Sequence, residues 1–339
     1  MIAHSAPWIT AADRQAVERR LAEGQIASGA LAASFEDEVK AHVGAAHARS
    51  APDGTSAIAA ALRGLGIGSG DDVVLPTYVC VDVELAVRAV GAAPRFADVD
   101  RTGTITAETA AAAITPRTRA IIAVHSLGRP CAIGPLRALN VPVIEDACQA
   151  FGFAFPEGTA GTLGDIGIYS FHATKCLTTG EGGMIVCAAG DLLPEPAGEE
   201  LALCPRLSDL QAALGLAQLS RYDSMLGRRA EIRRTYDAAL GGRGGGSRGP
   251  AGGALFRYTF ELRDSAPFEA ATRHFADRGI HLRRGVDALL HRRHGLPDDR
   301  FPGACALFAR NASVPFYPAL TDHEVGLIAR ALAEYDGVA

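Results

Sequence analysis

The sequence predicts an α/β protein, with a large, mainly parallel sheet domain over residues 1–240 and a smaller C-terminal α+β domain over residues 254–339. Three observations carry that expectation. Between Ser28 and Leu240, short apolar runs alternate with helical patterns, the order expected of strands linked by crossover helices. A glycine-rich break over 241–253 interrupts the alternation. Beyond it the pattern changes to a strand over Leu255–Leu262 and a closing amphipathic helix over Thr321–Tyr335.

The elements follow in order. Strand-like runs are Asp72–Leu75, Pro94–Ala97, Arg119–Val124, Val141–Ile144, Ile166–Ser170 and Met184–Cys187. Thr55–Leu65 precedes them as a helix with apolar residues at 58, 61, 62 and 65 on one face. Val81–Val90 and Ile133–Ala138 read as crossover helices, and the Ala-rich stretch Thr106–Ile114 has ordinary helix composition. One long helical stretch runs from Ser208 to Leu240, with Ser208 and Gln211 spaced as a capping box. No internal repeat stands out. A prior of about 150 residues per domain agrees with two domains in 339 residues.

Composition narrows the function classes. The net charge of −5 gives no basic footprint for nucleic acid. No uncharged apolar run approaches the roughly 18 residues of a membrane helix, and Met1 to Thr10 lack the pattern of a signal peptide. The seven cysteines are odd in number and form no CxxC pair, which points away from a disulfide framework or a zinc site and towards a reducing cytoplasm.

Of the 33 basic residues, 31 are Arg, and only Lys40 and Lys175 are Lys. A surface charge can follow such a bias to Arg. An amine that must form a Schiff base cannot, because guanidinium stays protonated. Lys40 lies in Phe35-Glu36-Asp37-Glu38-Val39-Lys40, an exposed helical face. Lys175 lies in a loop of small and polar residues directly after an apolar strand. A lone loop lysine is ordinarily a surface charge; its scarcity and setting mark this one as the candidate nucleophile.

Two further segments bear on chemistry. Val143-Ile144-Glu145-Asp146 ends an apolar strand in two carboxylates, at the sheet edge where open α/β folds bind ligands. Asp146 reads equally as the partner of a protonated ring nitrogen and as a cap on a following helix. Gly54, Thr55 and Ser56 stand at a helix N-terminus, where free N–H groups and two hydroxyls suit a phosphate; the alternative is an ordinary Ser/Thr cap. A Schiff-base lysine, an acid for a ring nitrogen and a phosphate cradle are together the parts that pyridoxal phosphate requires.

Gly54-Thr55-Ser56-Ala57, Glu145-Asp146-Ala147-Cys148-Gln149-Ala150, Ser170-Phe171-His172-Ala173-Thr174-Lys175 leading into Thr179-Gly180-Glu181-Gly182-Gly183, and Ser208-Asp209-Leu210-Gln211 resemble, in this order, the DegT/StrS family of sugar aminotransferases. The resemblance covers about Pro7 to Ala333. It implies an aspartate-aminotransferase-like fold (pyridoxal-phosphate fold type I) and a homodimer with shared active sites. It also implies roles: Lys175 as the covalent anchor and proton shuttle, Asp146 at the pyridine nitrogen and Gln149 by the ring hydroxyl. Ser170, Gly54, Thr55 and Ser56 would hold the phosphate, with His172 either supporting phosphate or substrate or simply packing. The implied reaction moves an amino group from an amino acid, glutamate by analogy, to a ketone or aldehyde, with a keto-sugar leading.

The departures are specific. Where relatives carry an aromatic residue over the ring this chain has Cys80, which leaves Tyr78 as the candidate for stacking. Where they have Asn-Tyr-Arg-Met it reads Cys204-Pro205-Arg206-Leu207, making Arg206 the candidate contact to the partner's phosphate, against a surface Arg beside Asp209. The interval from Gly183 to Ser208 is shorter than in relatives, so a nucleotide-linked substrate does not carry over automatically. Rival readings are elimination, dehydration or aromatisation on a modified sugar or ring, and a regulatory protein that binds the cofactor without turnover.

Overall fold

The computed structural model describes residues 1–188, 205–245, 255–264 and 266–339. Helix α1 (Ala11–Glu23), held by a reciprocal Thr10–Asp13 box, and α2 (Ala30–Val43) open the chain. Then come β1 (His47–Ala51), α3 (Gly54–Gly64), β2 (Asp72–Pro76), α4 (Val81–Ala89), β3 (Ala93–Ala97), α5 (Ala107–Ala113), β4 (Thr118–Val124) and α6 (Ile133–Arg137). Strand β5 (Val143–Asp146), a small hairpin of β6 (Ala154–Phe155) and β7 (Gly158–Thr159), β8 (Ile166–Ser170) and β9 (Gly183–Cys187) complete the large unit.

Seven strands form one sheet in the order β1-β9-β8-β5-β4-β2-β3. The five from β8 to β3 run parallel, whereas β9 is antiparallel to both β8 and β1. The central strands are buried on both faces, which is why they read as continuous apolar runs. Alternate residues feed two layers: Val73 and Leu75 pack with Ile58, Leu62 and Val87, while Val74 packs on the opposite face with Ile121 and Leu136. Strand β1 lies outside the predicted set because it is an edge whose burial is confined to Ser50 and Ala51.

The stretch over Ser208–Leu240 is two helices rather than one, α7 (Asp209–Leu219) and α8 (Tyr222–Leu240). The break has a tertiary cause: Arg221 leaves helical geometry and donates to the buried Asp13 at 2.7 Å and to the Trp8 carbonyl. Helix α8 joins two cores, with Tyr222 and Met225 in the large unit and Ile232, Tyr236 and Leu240 in the C-terminal one. The latter is built on β10 (Tyr258–Glu261), α9 (Phe268–Ala276), β11 (Arg283–Arg284), β12 (Asn311–Val314) and α12 (Asp322–Glu334), with α10 (Leu290–Arg293) and α11 (Pro302–Arg310) between β11 and β12 in the chain. Its sheet is antiparallel in the order β10-β12-β11.

Residues 289–307 return to the large unit. Leu289, Phe301 and Leu307 pack with Tyr78 and Val74, and His291 hydrogen-bonds Thr77 Oγ1 at 2.8 Å and Asp298 at 3.0 Å. Asp298 is in turn gripped by Arg292 Nε and Nη2, so this His/Asp cluster serves as a clasp between the two units. The N-terminal segment docks on the C-terminal sheet, where His4 meets Ser313 at 3.0 Å. Residues 246–253 of the glycine-rich break, and Cys204, lie outside the described residues. Among those described, Cys80, Cys131, Cys148, Cys176 and Cys305 are free thiols, and no helix is long and apolar enough to cross a membrane.

Candidate active site

Strand register brings the distant motifs together. Ser170, Gly183 and Ala51 are cross-strand partners in one row at the edge of the sheet, where β1 turns into α3. A Cβ on Gly183 would collide with the Asp53 carbonyl, so only glycine lets β9 pass this close to the helix start. At Gly54 a Cβ would stand 3.0 Å from the Ser170 Cβ and 3.2 Å from the Cys148 Sγ. The α3 N-terminus, the end of β8 and the turn after β5 therefore meet at one point.

The helix cap is neither Thr55 nor Ser56. Asp53 caps α3, accepting from the Ser56 N–H at 2.7 Å. The Gly54 and Thr55 N–H groups and the Thr55 and Ser56 hydroxyls take no hydrogen bond among the described residues. Ser170 Oγ accepts only a long contact from the His172 N–H, at 3.4 Å. Donors left open at a helix N-terminus are what a phosphate dianion recruits.

The paired carboxylates separate cleanly. Glu145 is fully buried and completely used: it accepts from His125 Nε2 at 2.7 Å and from the N–H groups of Gly161, Leu163 and Gly164. Burial alone would raise its pKa; the hydrogen bonds and charge of His125 and the backbone amides outweigh that and lower it. Glu145 is thus structural. Asp146 is 4% exposed, and its Oδ1 accepts from the Cys148 N–H at 2.9 Å. A turn follows it rather than a helix, so the helix-cap reading fails. Asp146 has no ion pair with a cation among the described residues, its side chain being engaged by the Cys148 amide and thiol, and a nearly buried carboxylate calls for a cationic partner.

Gln149 is oriented by a backbone kink. Its Oε1 accepts the Leu127 N–H at 2.6 Å, at a position where Leu127 adopts φ 60°. That fixes the amide so that its NH2 end remains to donate. The Leu127 carbonyl accepts from the Phe256 N–H at 3.1 Å, and the Phe256 carbonyl takes Arg229 Nη1 at 3.1 Å. The Lys175 Nζ lies 5.0 Å from the centroid of that Phe256 ring. Gln149, Leu127, Phe256 and Lys175 form one connected path from the large unit into the C-terminal one.

The lysine loop is held by its own residues. The Lys175 N–H donates to the His172 carbonyl at 2.9 Å, and His172 Nδ1 contacts Thr174 Oγ1 at 2.8 Å. His172 Nε2 lies 3.6 Å from Glu181, so this side chain braces the turn. Lys175 Nζ has neither an ion pair nor a hydrogen bond among the described residues. Lys40, by contrast, pairs with Asp37 at 2.7 Å on the surface. The Cys148 thiol is pushed well up, first by burial and then by the charge of Asp146, with Lys175 acting in the opposite sense. Cys80, at the start of α4, feels the same two groups. The carboxylate and the amine thus act on one small space, as a pyridinium nitrogen and a Schiff-base carbon would require, and the donor set fits pyridoxal phosphate.

One expectation needs correction. Tyr78 is 1% exposed, packed against Gly103 and Gly285 beneath the C-terminal unit, and has no face open to a ring. The exposed residue here is Cys80. Arg206 pairs with Glu36 at 3.3 Å. Phe256 was not expected at the site, and no sequence signal marks it, because it arrives from beyond the glycine-rich break.

The comparisons with known proteins agree. The DegT/DnrJ/EryC1/StrS aminotransferase family matches residues 7–333. Spore coat polysaccharide biosynthesis protein SpsC of Bacillus subtilis is 30% identical over 98% of this chain and 96% of its own length. GDP-perosamine synthase of Caulobacter vibrioides is 36% identical over 62% of each chain. The solved structure of DesI in the presence of its TDP-sugar product superposes with a TM-score of 0.88 at 26% identity, covering 98% of this chain and 93% of that one.

Proposed function

The chain belongs to the DegT/DnrJ/EryC1/StrS aminotransferase family and is a pyridoxal-phosphate-dependent aminotransferase; from that premise we propose that Lys175 is its covalent anchor, glutamate its amino donor and a keto-sugar its amino acceptor. The observation that carries the residue assignment is the combination of an uncommitted Lys175 amine with a nearly buried Asp146 that has no cationic partner among the described residues. The bound cofactor supplies an electron sink for the pair released at the donor α-carbon. Lys175 Nζ would take the proton from that carbon and pass it, within the same half-reaction, to the cofactor carbon that keeps the nitrogen, and would run the same transfer in reverse when the acceptor is aminated. Asp146 would hold the proton on the ring nitrogen, Gln149 would donate to the ring oxygen, and Gly54, Thr55, Ser56 and Ser170 would hold the phosphate. His172 positions the Lys175 turn.

A sugar acceptor is supported by the named products of two relatives, a GDP-linked amino sugar and a TDP-sugar. We propose a homodimer with shared sites on family grounds, with Arg206 as the contact across it. The free thiols support a reducing compartment, the cytoplasm. The test is to convert the purified protein with glutamate to its pyridoxamine form, then offer free and nucleotide-linked keto-sugars. Stoichiometric return of the pyridoxal spectrum with an aminated sugar is expected. Return with non-sugar ketones alone would overturn the acceptor class.

A further inference from the structure

Phe256 marks the point where the chain crosses between the two cores. Leu255 belongs to the C-terminal core with Ile232 and Tyr258, whereas the Phe256 ring belongs to the large unit's core with Phe153, Cys176 and Leu177. Both sides of the residue are fixed. Its N–H donates to the Leu127 carbonyl at 3.1 Å, and its carbonyl accepts from Arg229 Nη1 at 3.1 Å. The buried Arg229 also donates to the carbonyls of Leu255 at 3.3 Å and Phe316 at 3.1 Å. A Cβ on Gly128, which has φ 83°, would stand 2.6 Å from the Phe256 nitrogen, so only glycine lets this segment enter. The ring held in this way lies under Lys175, with Nζ 5.0 Å from its centroid; the Arg257 guanidinium is farther, at 5.6 Å.

We propose that Phe256 is the positioning residue for Lys175, its ring holding the amine within the site whenever that amine is free of the cofactor. A released lysine side chain has several rotatable bonds and can swing away from the carbon whose proton it must move. Holding it close converts a search into a local transfer. The face of an aromatic ring attracts an ammonium group without accepting a conventional hydrogen bond from it. The amine is thus retained yet keeps its nitrogen available for proton transfer. A carboxylate in the same place would engage the ammonium directly and compete with that transfer, and an aliphatic side chain would not hold the charge. Because Leu127 and Arg229 set the Phe256 backbone, the docking of the C-terminal unit fixes where Lys175 rests. The role assigned to the amine rests on the aminotransferase reading; the contact with the ring does not.

The scarcity of lysine makes the test direct. Full-length protein grown on lysine labelled with carbon-13 at Cε gives two side-chain signals, from Lys40 and Lys175, assigned with Lys40→Arg. In the cofactor-free protein the Lys175 ε-protons should lie upfield of those of Lys40, shifted by the ring beneath them. Phe256→Leu should abolish that shift, and Phe256→Tyr, which keeps an aromatic face, should retain it. Rapid mixing of the holoenzymes with glutamate then follows conversion to the pyridoxamine form. Phe256→Leu should slow the saturating rate at least about tenfold while half-saturation moves by less than about twofold, because positioning is lost and donor binding is not. Phe256→Tyr should restore most of the rate. Lys175 protons that coincide with those of Lys40 in the wild type overturn the proposal, whatever the variants do. An unchanged saturating rate in Phe256→Leu, or a loss in Phe256→Tyr equal to that in Phe256→Leu, also overturns it. A ring-dependent shift in a protein that no amino acid converts would leave the lysine platform standing and remove the aminotransferase reading.

Discussion

Gly54 and Ser170 face each other so closely that a Cβ on the glycine would stand 3.0 Å from the serine Cβ. The gap is what leaves the N–H groups at the start of α3 open beside the serine hydroxyl. Gly54→Ala should therefore fold, at a cost of about 1–3 kcal/mol for the overpacking. It should weaken cofactor binding at least about tenfold as the cradle narrows. A cofactor titration of the apo variant checks this; wild-type affinity would show that no phosphate sits there.

Lys175 makes the sharpest prediction. Borohydride reduction of the holoenzyme should attach the cofactor to a single peptide, the one containing Lys175. Since Lys40 is the only other lysine and pairs with Asp37, an adduct on its peptide would refute the assignment. Lys175→Ala should lose turnover by at least about a thousandfold while still binding cofactor non-covalently.

Asp146→Asn separates charge from hydrogen bonding. The amide oxygen can go on accepting from the Cys148 N–H, so the melting temperature should move little. The ring nitrogen loses its counter-charge, and turnover should fall about a hundredfold or more. Near-normal turnover would mean that the carboxylate only shapes its turn.

His4 gives a pH signature. Burial, then the charges of Arg257, Arg283 and His281, lower its pKa from 6.5 to about 3. The unfolded chain binds this proton more readily than the folded one, so stability rises with pH across the interval. The penalty is absent above pH 6.5 and grows as the pH falls towards 3. Melting temperatures of His4→Gln should decline less steeply on acidification than those of the wild type. Parallel declines would remove His4 as the cause.

How much of this was legible in the sequence differs by residue. Lys175 stood out because an Arg-biased composition leaves a lysine only where the amine is needed, and Asp146 because it ends an apolar strand. Glu145, its neighbour, could not be told apart from it: its role depends on His125 and on three amides from the turn after β7. The Leu127 kink leaves no trace, since a leucine at positive φ is set by its tertiary partners Gln149 and Phe256. Phe256 reaches Lys175 only because α8 and the clasp at His291 fold the C-terminal unit back over the sheet. Helical periodicity likewise ran through Ser220 and Arg221, where a salt bridge to Asp13 decides the break.

The shared-site expectation can be tested through Arg206. In the single chain its Nε lies 3.3 Å from Glu36, a buried carboxylate that also accepts from the Ser50 N–H and hydroxyl. Its side chain is still 43% exposed, so the guanidinium can serve a second anion without giving up that brace. If the second anion is a phosphate bound by the partner subunit, Arg206→Ala and Lys175→Ala damage sites in opposite senses. A mixed dimer would then carry one site with both lesions and one with neither. Random exchange of two inactive variants should restore about a quarter of the wild-type activity per site, since half the dimers are mixed and each has one intact site. Exchange verified by mass-tagged subunits, with both parents inactive and no recovery, would show that Arg206 does not act across the dimer. A protein that turns over as a strict monomer in sedimentation would abolish the shared-site arrangement itself.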